Sequence, residues 1–125
     1  MGLGKTFSVV ALSVVLLTHP DISYNETQIF SRILVVAPVN TIENWKQEFK
    51  KWVPESIRND IPVCRIQGRD DINSRVTTIE KWFDYGGVCI LGYDMFRYLV
   101  EIKPASPGDA NRNSAYHDRL QKVSI

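Results

Sequence analysis

The sequence predicts an α/β fold, a doubly wound parallel sheet with helices on its faces. Three observations lead there. Ile33–Ala37 and Val88–Leu91 are continuous apolar runs rich in β-branched residues, the pattern of strands covered on both faces. Segments of helical period lie before, between and after the strand-like runs. The resulting order is helix, strand, helix, strand, helix, strand, helix, at the spacing of right-handed crossover units. With 125 residues, 44% hydrophobic and 23% charged, the chain has the composition of one globular domain rather than a disordered segment.

The first helix is expected from Gly4 to about Leu17. It carries Phe7, Val9, Val10, Ala11, Leu12, Val14, Val15, Leu16 and Leu17, an apolarity that predicts burial on most sides. His19-Pro20 ends it, and residues 21–32 read as a polar connection. Ile33–Ala37 follows as a central strand, stopped by Pro38. In the next helix Asn40 can cap the N-terminus and Glu43, three residues on, can complete a capping box. Ile42, Trp45, Phe49 and Trp52 recur on one face as core packing, and Pro54 closes the segment. Val63–Gln67 reads as a short strand. Asp70 or Asp71 then caps a helix in which Ile72, Val76, Ile79 and Phe83 share a face. Gly86-Gly87 ends that helix, Val88–Leu91 is the last strand, and a short helix runs from about Met95 to Glu101. From Lys103 onward prolines, glycine and asparagines mark a polar linker or variable tail, residues 103–125, with a short helix expected over Tyr116–Val123.

The chemistry is concentrated at the N-terminus. Gly2-Leu3-Gly4-Lys5-Thr6, leading into an apolar helix, matches the back half of a phosphate-binding P-loop. Glycines let backbone N–H groups close around phosphate oxygens, a lysine reaches the β- and γ-phosphates, and a threonine hydroxyl binds Mg²⁺. The helix that starts there adds the positive end of its dipole. The first glycine of the full motif would lie before Met1, as would the strand that delivers the loop. Two other patterns overlap the same residues. Lys5 followed by Phe7–Leu17 resembles the start of a signal peptide, although Thr18-His19-Pro20-Asp21 offers no small-residue cleavage site. Met1-Gly2 with Thr6 also fits a myristoylation pattern.

Elsewhere the side chains are less telling. Cys64 and Cys89 lie in strand-like segments without metal-ligand spacing and read as reduced core residues. His19 and His117 read as isolated surface residues. A net charge of +1 neither argues for nucleic acid nor excludes it, because a backbone-tracking surface need not be basic overall.

Three segments together resemble one family. Leu34-Val35-Val36-Ala37-Pro38-Val39-Asn40-Thr41-Ile42-Glu43-Asn44-Trp45, continuing to Glu48-Phe49, is similar to a strand-loop-helix motif of the Swi/Snf-type DNA-dependent ATPases. Val88-Cys89-Ile90-Leu91-Gly92-Tyr93-Asp94-Met95-Phe96-Arg97 resembles the same family's next motif, and Met1–Thr6 its P-loop spelling. The three fall in the right order over Met1 to Leu99, with the ATRX-like subgroup the nearest in wording.

The resemblance implies a partial RecA-like (P-loop NTPase) lobe over residues 1–102, lacking its first and later strands. It implies that Gly2, Leu3, Gly4, Lys5 and Thr6 hold ATP phosphates, with Thr6 on Mg²⁺. It implies that Pro38, Asn40, Thr41, Gly92 and Tyr93 track a DNA backbone; for Tyr93, a half-buried aromatic closing a strand is the equal alternative. The partners implied are double-stranded DNA or chromatin and the remaining ATPase lobes of a parent chain, with no membrane and a nuclear location. The family's acidic Mg²⁺ motif and the arginines of its second lobe are not found in this sequence. The expectation is therefore a fragment of a chromatin-remodelling translocase that does not turn over ATP alone and has exposed sheet edges. Two other readings stand beside it: a secreted or membrane-anchored α/β protein with residues 1–20 as a targeting signal, and a non-enzymatic product that binds a partner through the Trp45/Trp52 face.

Overall fold

Alternation along three short strands decides how the layers assemble. A computed structural model of the chain describes residues 3–19, 23–24, 27–28 and 30–101. Its helices are α1 (Leu3–Thr18), α2 (Ile42–Trp52), α3 (Ile72–Tyr85) and α4 (Tyr93–Val100). Its strands are β1 (Ser23–Tyr24), β2 (Thr27–Gln28), β3 (Arg32–Ala37), β4 (Val63–Ile66) and β5 (Gly87–Gly92). Met1, Gly2, His117 and the expected helix at Tyr116–Val123 lie outside the described residues.

β3, β5 and β4 form a parallel sheet in that spatial order. Ile33 and Val35, Val88 and Ile90, and Val63 point to one face, where they meet Val10 of α1 and Ile42, Phe49 and Val53 around α2. Leu34 and Val36, Cys89 and Leu91, and Cys64 and Ile66 point to the other, against Ile79 and Trp82 of α3 and Met95, Phe96 and Leu99 of α4. This two-residue period makes three layers from one sheet. The chain crosses from β3 past β5 to β4 over one face, then returns to β5 over the other. A reversal of direction requires the opposite face if both crossovers keep one hand.

Among the described strands β5 is the central one, and β3 lies beside it. All six residues of β5 are buried, whereas Ile33–Val36 are half-buried, because β3 has a described partner on one side only. The start of β5 is wedged between the two neighbouring strands. Gly86 and Gly87 have φ of 79° and 95°, and a Cβ on them would lie 2.3 Å from the Ser31 oxygen and 2.2 Å from the Pro62 oxygen. Only glycine accepts both the left-handed backbone and the approach. In return Gly87 N–H donates to the Ser31 carbonyl at 2.9 Å and Val88 N–H to the Pro62 carbonyl at 2.8 Å.

Several expectations need correction. α1 is buried on one side rather than most: Val10 and Ser13 are covered, while Phe7, Val9, Leu12 and Val15 are exposed, because α1 packs chiefly on α2. Its serines stay within the helix, the Ser8 and Ser13 hydroxyls donating to the carbonyls four residues back. Residues 21–32 hold a small antiparallel pairing of β1 with β2 and the first residue of β3. The capping box at Asn40 does not form. Asn40 lies inside a 3₁₀ turn, Val39–Thr41, with Thr41 at the cap position, and Glu43 pairs instead with Arg65 of β4. Asp71 is the cap of α3, accepting from Ser74 N–H at 3.3 Å, while Asp70 accepts from Gln67 N–H at 2.9 Å. On α3, Trp82 takes the core position that Ile72 was expected to share, and Ile72 is exposed. Phe83 is half-buried beneath the Arg32 guanidinium, 4.4 Å from its ring centre. Of the aromatic residues on α2, Phe49 is core, Trp45 is half-buried and Trp52 is exposed at 44%.

Candidate functional site

The carboxyl ends of parallel strands gather the loops that enter the following helices, and ligands collect where adjacent strands send their helices to opposite faces. Here that point lies between β3 and β5. β3 leads into α2 on one face and β5 into α4 on the other, and the two strands end in register at Ala37 and Gly92. The loop residues singled out from the sequence, Pro38, Asn40, Thr41, Gly92 and Tyr93, all sit at this edge.

Gly92 is what lets the two loops touch. A Cβ there would be 2.8 Å from Val39 Cγ2, so a larger residue would displace the Val39 side chain from this contact. Pro38 stops β3 and starts the 3₁₀ turn, with its carbonyl accepting from Thr41 N–H at 2.9 Å and Thr41 Oγ1–H at 2.7 Å. Ile42 N–H donates to the Val39 carbonyl, so two N–H groups at the start of α2 are already bonded within the turn. Asn40 and Pro38 are exposed, and Thr41 is half-buried. Tyr93 is 59% exposed at the first turn of α4, which corrects the half-buried alternative.

Sequence reasoning missed a third contributor, the β4–α3 loop. Gln67, Gly68 and Arg69 line a cavity of about 530 Å³ together with Val39, Gly92 and Asp94. Arg69 is an exposed cation at its rim. The loop is fixed from behind by Asp70 on Gln67 N–H and by the Arg75 guanidinium, which donates to the Gly68 carbonyl at 2.6 Å. The signal available was positional: Gln67-Gly68-Arg69 follows a strand, as the other two loops do.

The phosphate-type residues are elsewhere. Gly4, Lys5 and Thr6 form the first turn of α1 and Leu3 begins its backbone, while Gly2 lies outside the described residues. Phe7 meets Trp52 edge-on with ring centres 4.8 Å apart, so the start of α1 lies beside the end of α2. The 11 residues of α2 span about 15 Å, placing Lys5 and Thr6 roughly that far along the helix from Thr41. The structure thus brings the five loop residues together and leaves the N-terminal group apart from them. That group has the chemistry an anion needs. No acid occupies the first turn of α1, Lys5 is exposed, and the space beside Gly4 is open to 4 Å. These residues fit a phosphate and its Mg²⁺ in donor type.

A family profile described as SNF2-related domain matches residues 1–124. The chain belongs to the SNF2-related family. The match includes the N-terminal segment that could otherwise be read as a targeting signal. Among curated proteins, this SNF2-related chain is 44% identical over 103 residues to the transcriptional regulator ATRX homolog of Drosophila melanogaster, covering 82% of the chain and 8% of that protein. It is 38% identical over 103 residues to human transcriptional regulator ATRX, covering 81% and 4%. It is 31% identical over 121 residues to human helicase ARIP4, covering 86% and 8%. The chain therefore spans under a tenth of the length of these relatives. No solved structure matches. The layered sheet and its flanking helices agree with a partial RecA-like lobe of this domain. Among the described residues no helix is long and apolar enough to cross a membrane.

Proposed function

We propose that this SNF2-related chain is part of the first ATPase lobe of a DNA translocase acting on chromatin, and that the edge formed by Pro38, Asn40, Thr41, Gly92 and Tyr93 follows a duplex backbone. The observation that carries the reading is the convergence of these five residues at one strand edge of a chain in this family. Small polar side chains, an exposed tyrosine and a nearby arginine suit contact with phosphate and sugar rather than base reading. Asn40 and Thr41 offer hydrogen bonds and Arg69 offers a charge at the rim of the same edge.

In this reading Gly2, Leu3, Gly4, Lys5 and Thr6 would hold the phosphates of ATP, with Thr6 on Mg²⁺. When bound, Mg²⁺-ATP supplies the phosphoryl transfer that powers movement along DNA. Lys5 neutralises phosphate charge and the first turn of α1 orients backbone donors toward it. In this reading the acids that complete hydrolysis would come from a later strand of the same lobe and the arginines from a second lobe, and the remaining ATPase lobes of the parent chain are the proposed protein partners. The proposed compartment is the nucleus, where a fractionation blot with an antibody to residues 41–54 would find the protein.

The test is binding of a labelled duplex to the full chain, read by fluorescence polarisation at several salt concentrations. Arg69→Glu and Thr41→Glu should each weaken binding equally across unrelated sequences, and Arg69→Gln should reduce the salt slope by about 1. Unchanged affinity in the Glu variants would sink the DNA reading. For the nucleotide, Lys5→Ala should lower affinity for Mg²⁺-ATP without changing duplex binding in its absence.

A further inference from the structure

Cys64 and Cys89 are remote in sequence and adjacent in space. They are register partners across β4 and β5, the second of four paired positions. Paired residues on parallel strands send their side chains to the same face, here the one covered by α3 and α4. Neighbouring strands lie about 4.8 Å apart, within the separation of about 4.4–6.8 Å between Cα atoms that a disulfide spans. They are the chain's two cysteines, and both are free thiols.

Their surroundings differ. Cys89 is 1% exposed, in the centre of the sheet among Ile66, Ile79, Trp82 and Leu91. Cys64 is half-buried and opens on a cavity of about 610 Å³ lined also by Thr78, Lys81, Trp82 and Tyr85. One thiol is therefore reached from solvent, and the second lies buried beside it. A hydrogen bond from Cys89 holds the Cys64 thiol below its ordinary range, opposed by burial and helped slightly by the charge of Lys46. The same hydrogen bond, together with burial, pushes the Cys89 thiol up. The accessible sulfur thus has the greater thiolate character, the property that governs reactivity.

We propose that Cys64 and Cys89 form a dithiol modification site for small hydroperoxides, with Cys64 as the attacking sulfur and Cys89 as the resolving one. In the first step the Cys64 thiolate attacks one peroxide oxygen and the O–O bond breaks. The leaving oxygen takes up a proton and departs as water or an alcohol, and Cys64 becomes a sulfenic acid. The sulfur is oxidised by two electrons and the peroxide is reduced by two. In the second step Cys89 sulfur attacks Cys64 sulfur, the S–O bond breaks, and the Cys89 proton leaves with the hydroxide as water. The product is a disulfide joining β4 to β5 within one chain.

Intact-mass measurement of the full chain after a pulse of hydrogen peroxide tests this. The expected product is a monomer about 2 Da lighter with neither thiol alkylatable, restored by dithiothreitol. In the untreated chain Cys64 should be alkylated by iodoacetamide at least about tenfold faster than Cys89. Cys89→Ser should stop at a sulfenic acid on Cys64 that dimedone captures. Cys64→Ser should leave Cys89 reduced under the same pulse, with its circular dichroism matching the parent chain. A parent chain that gains oxygen without losing both thiols would overturn the proposal. So would disulfide-linked dimers as the main product, or equal alkylation of the two cysteines.

Discussion

Replacing Gly87 by alanine should be among the most damaging single-methyl changes in this chain. The residue has φ of 95°, where an L-residue costs about 1–2 kcal/mol. The new Cβ would lie 2.2 Å from the Pro62 oxygen and 2.8 and 2.9 Å from two of its ring carbons. The start of β4 must retreat by roughly 1 Å to restore ordinary contact. That movement breaks the 2.8 Å bond from Val88 N–H to the Pro62 carbonyl, and Val88 is wholly buried. A buried donor left without a partner costs about 1–3 kcal/mol. Together the change should remove about 2–5 kcal/mol, a large part of the stability of about 5–15 kcal/mol that domains possess. Urea unfolding followed by tryptophan fluorescence is a suitable assay, because the Trp82 indole N–H donates to the Gly87 carbonyl at 3.1 Å. Gly68→Ala is the control: a Cβ there meets nothing within 4 Å, and the expected change is within about 0.5 kcal/mol. If the two variants unfold at the same urea concentration, the wedge described for β5 is wrong.

Three further outcomes are expected. Gly4→Ala should stabilise the chain by about 0.5–1 kcal/mol, because the helical position is exposed and open, yet lower affinity for Mg²⁺-ATP; calorimetry and nucleotide titration separate the two. The hydrogen bond from Ser74, and less strongly the charge of Arg75, holds the Asp71 carboxyl below its ordinary range. A lowered carboxylate contributes stability above its unfolded pKa of about 3.9 and loses it as pH falls through the lower folded value. Melting temperature should therefore drop more below about pH 4 in the parent than in Asp71→Asn, which keeps an acceptor but cannot titrate. A double-mutant cycle of Phe7→Ala and Trp52→Ala should give a coupling of about 0.5–1.5 kcal/mol, and zero coupling would show that α1 does not rest on the end of α2.

Much of this could be read from the residues, because local signals and tertiary packing agree in most of the chain. The apolar runs at 33–37 and 88–91, the Asp71 cap and the Gly86-Gly87 stop are short-range statements, and each is found where its chemistry places it. What failed depended on neighbours distant in sequence. Glu43 was open to two partners and took Arg65 across the α2–β4 contact, so the box at Asn40 never closed. The helical period of α3 did not distinguish Ile72 from Trp82, and the site under β5 took the Trp82 indole. The centre of the sheet could not be assigned from composition, since β3 and β5 are equally apolar and only strand order separates them. The pairing of Cys64 with Cys89 is likewise a matter of register, which no spacing rule carries. For the candidate site, the two loops after β3 and β5 were recognisable by resemblance, whereas Arg69 required knowing that β4 ends at the same edge.

The absent side chain of Gly92 has a mechanical consequence. Because Val39 occupies the space a Cβ would fill, the turn after β3 and the turn after β5 bear on each other like meshed teeth. The Val39 side chain rests on Gly92, and both turns leave strands in register at Ala37 and Gly92. The distance between Asn40 and Tyr93 is therefore set by the scaffold rather than by whatever lies across it. Under the proposed function, a periodic backbone laid on this edge would meet contacts held at one spacing.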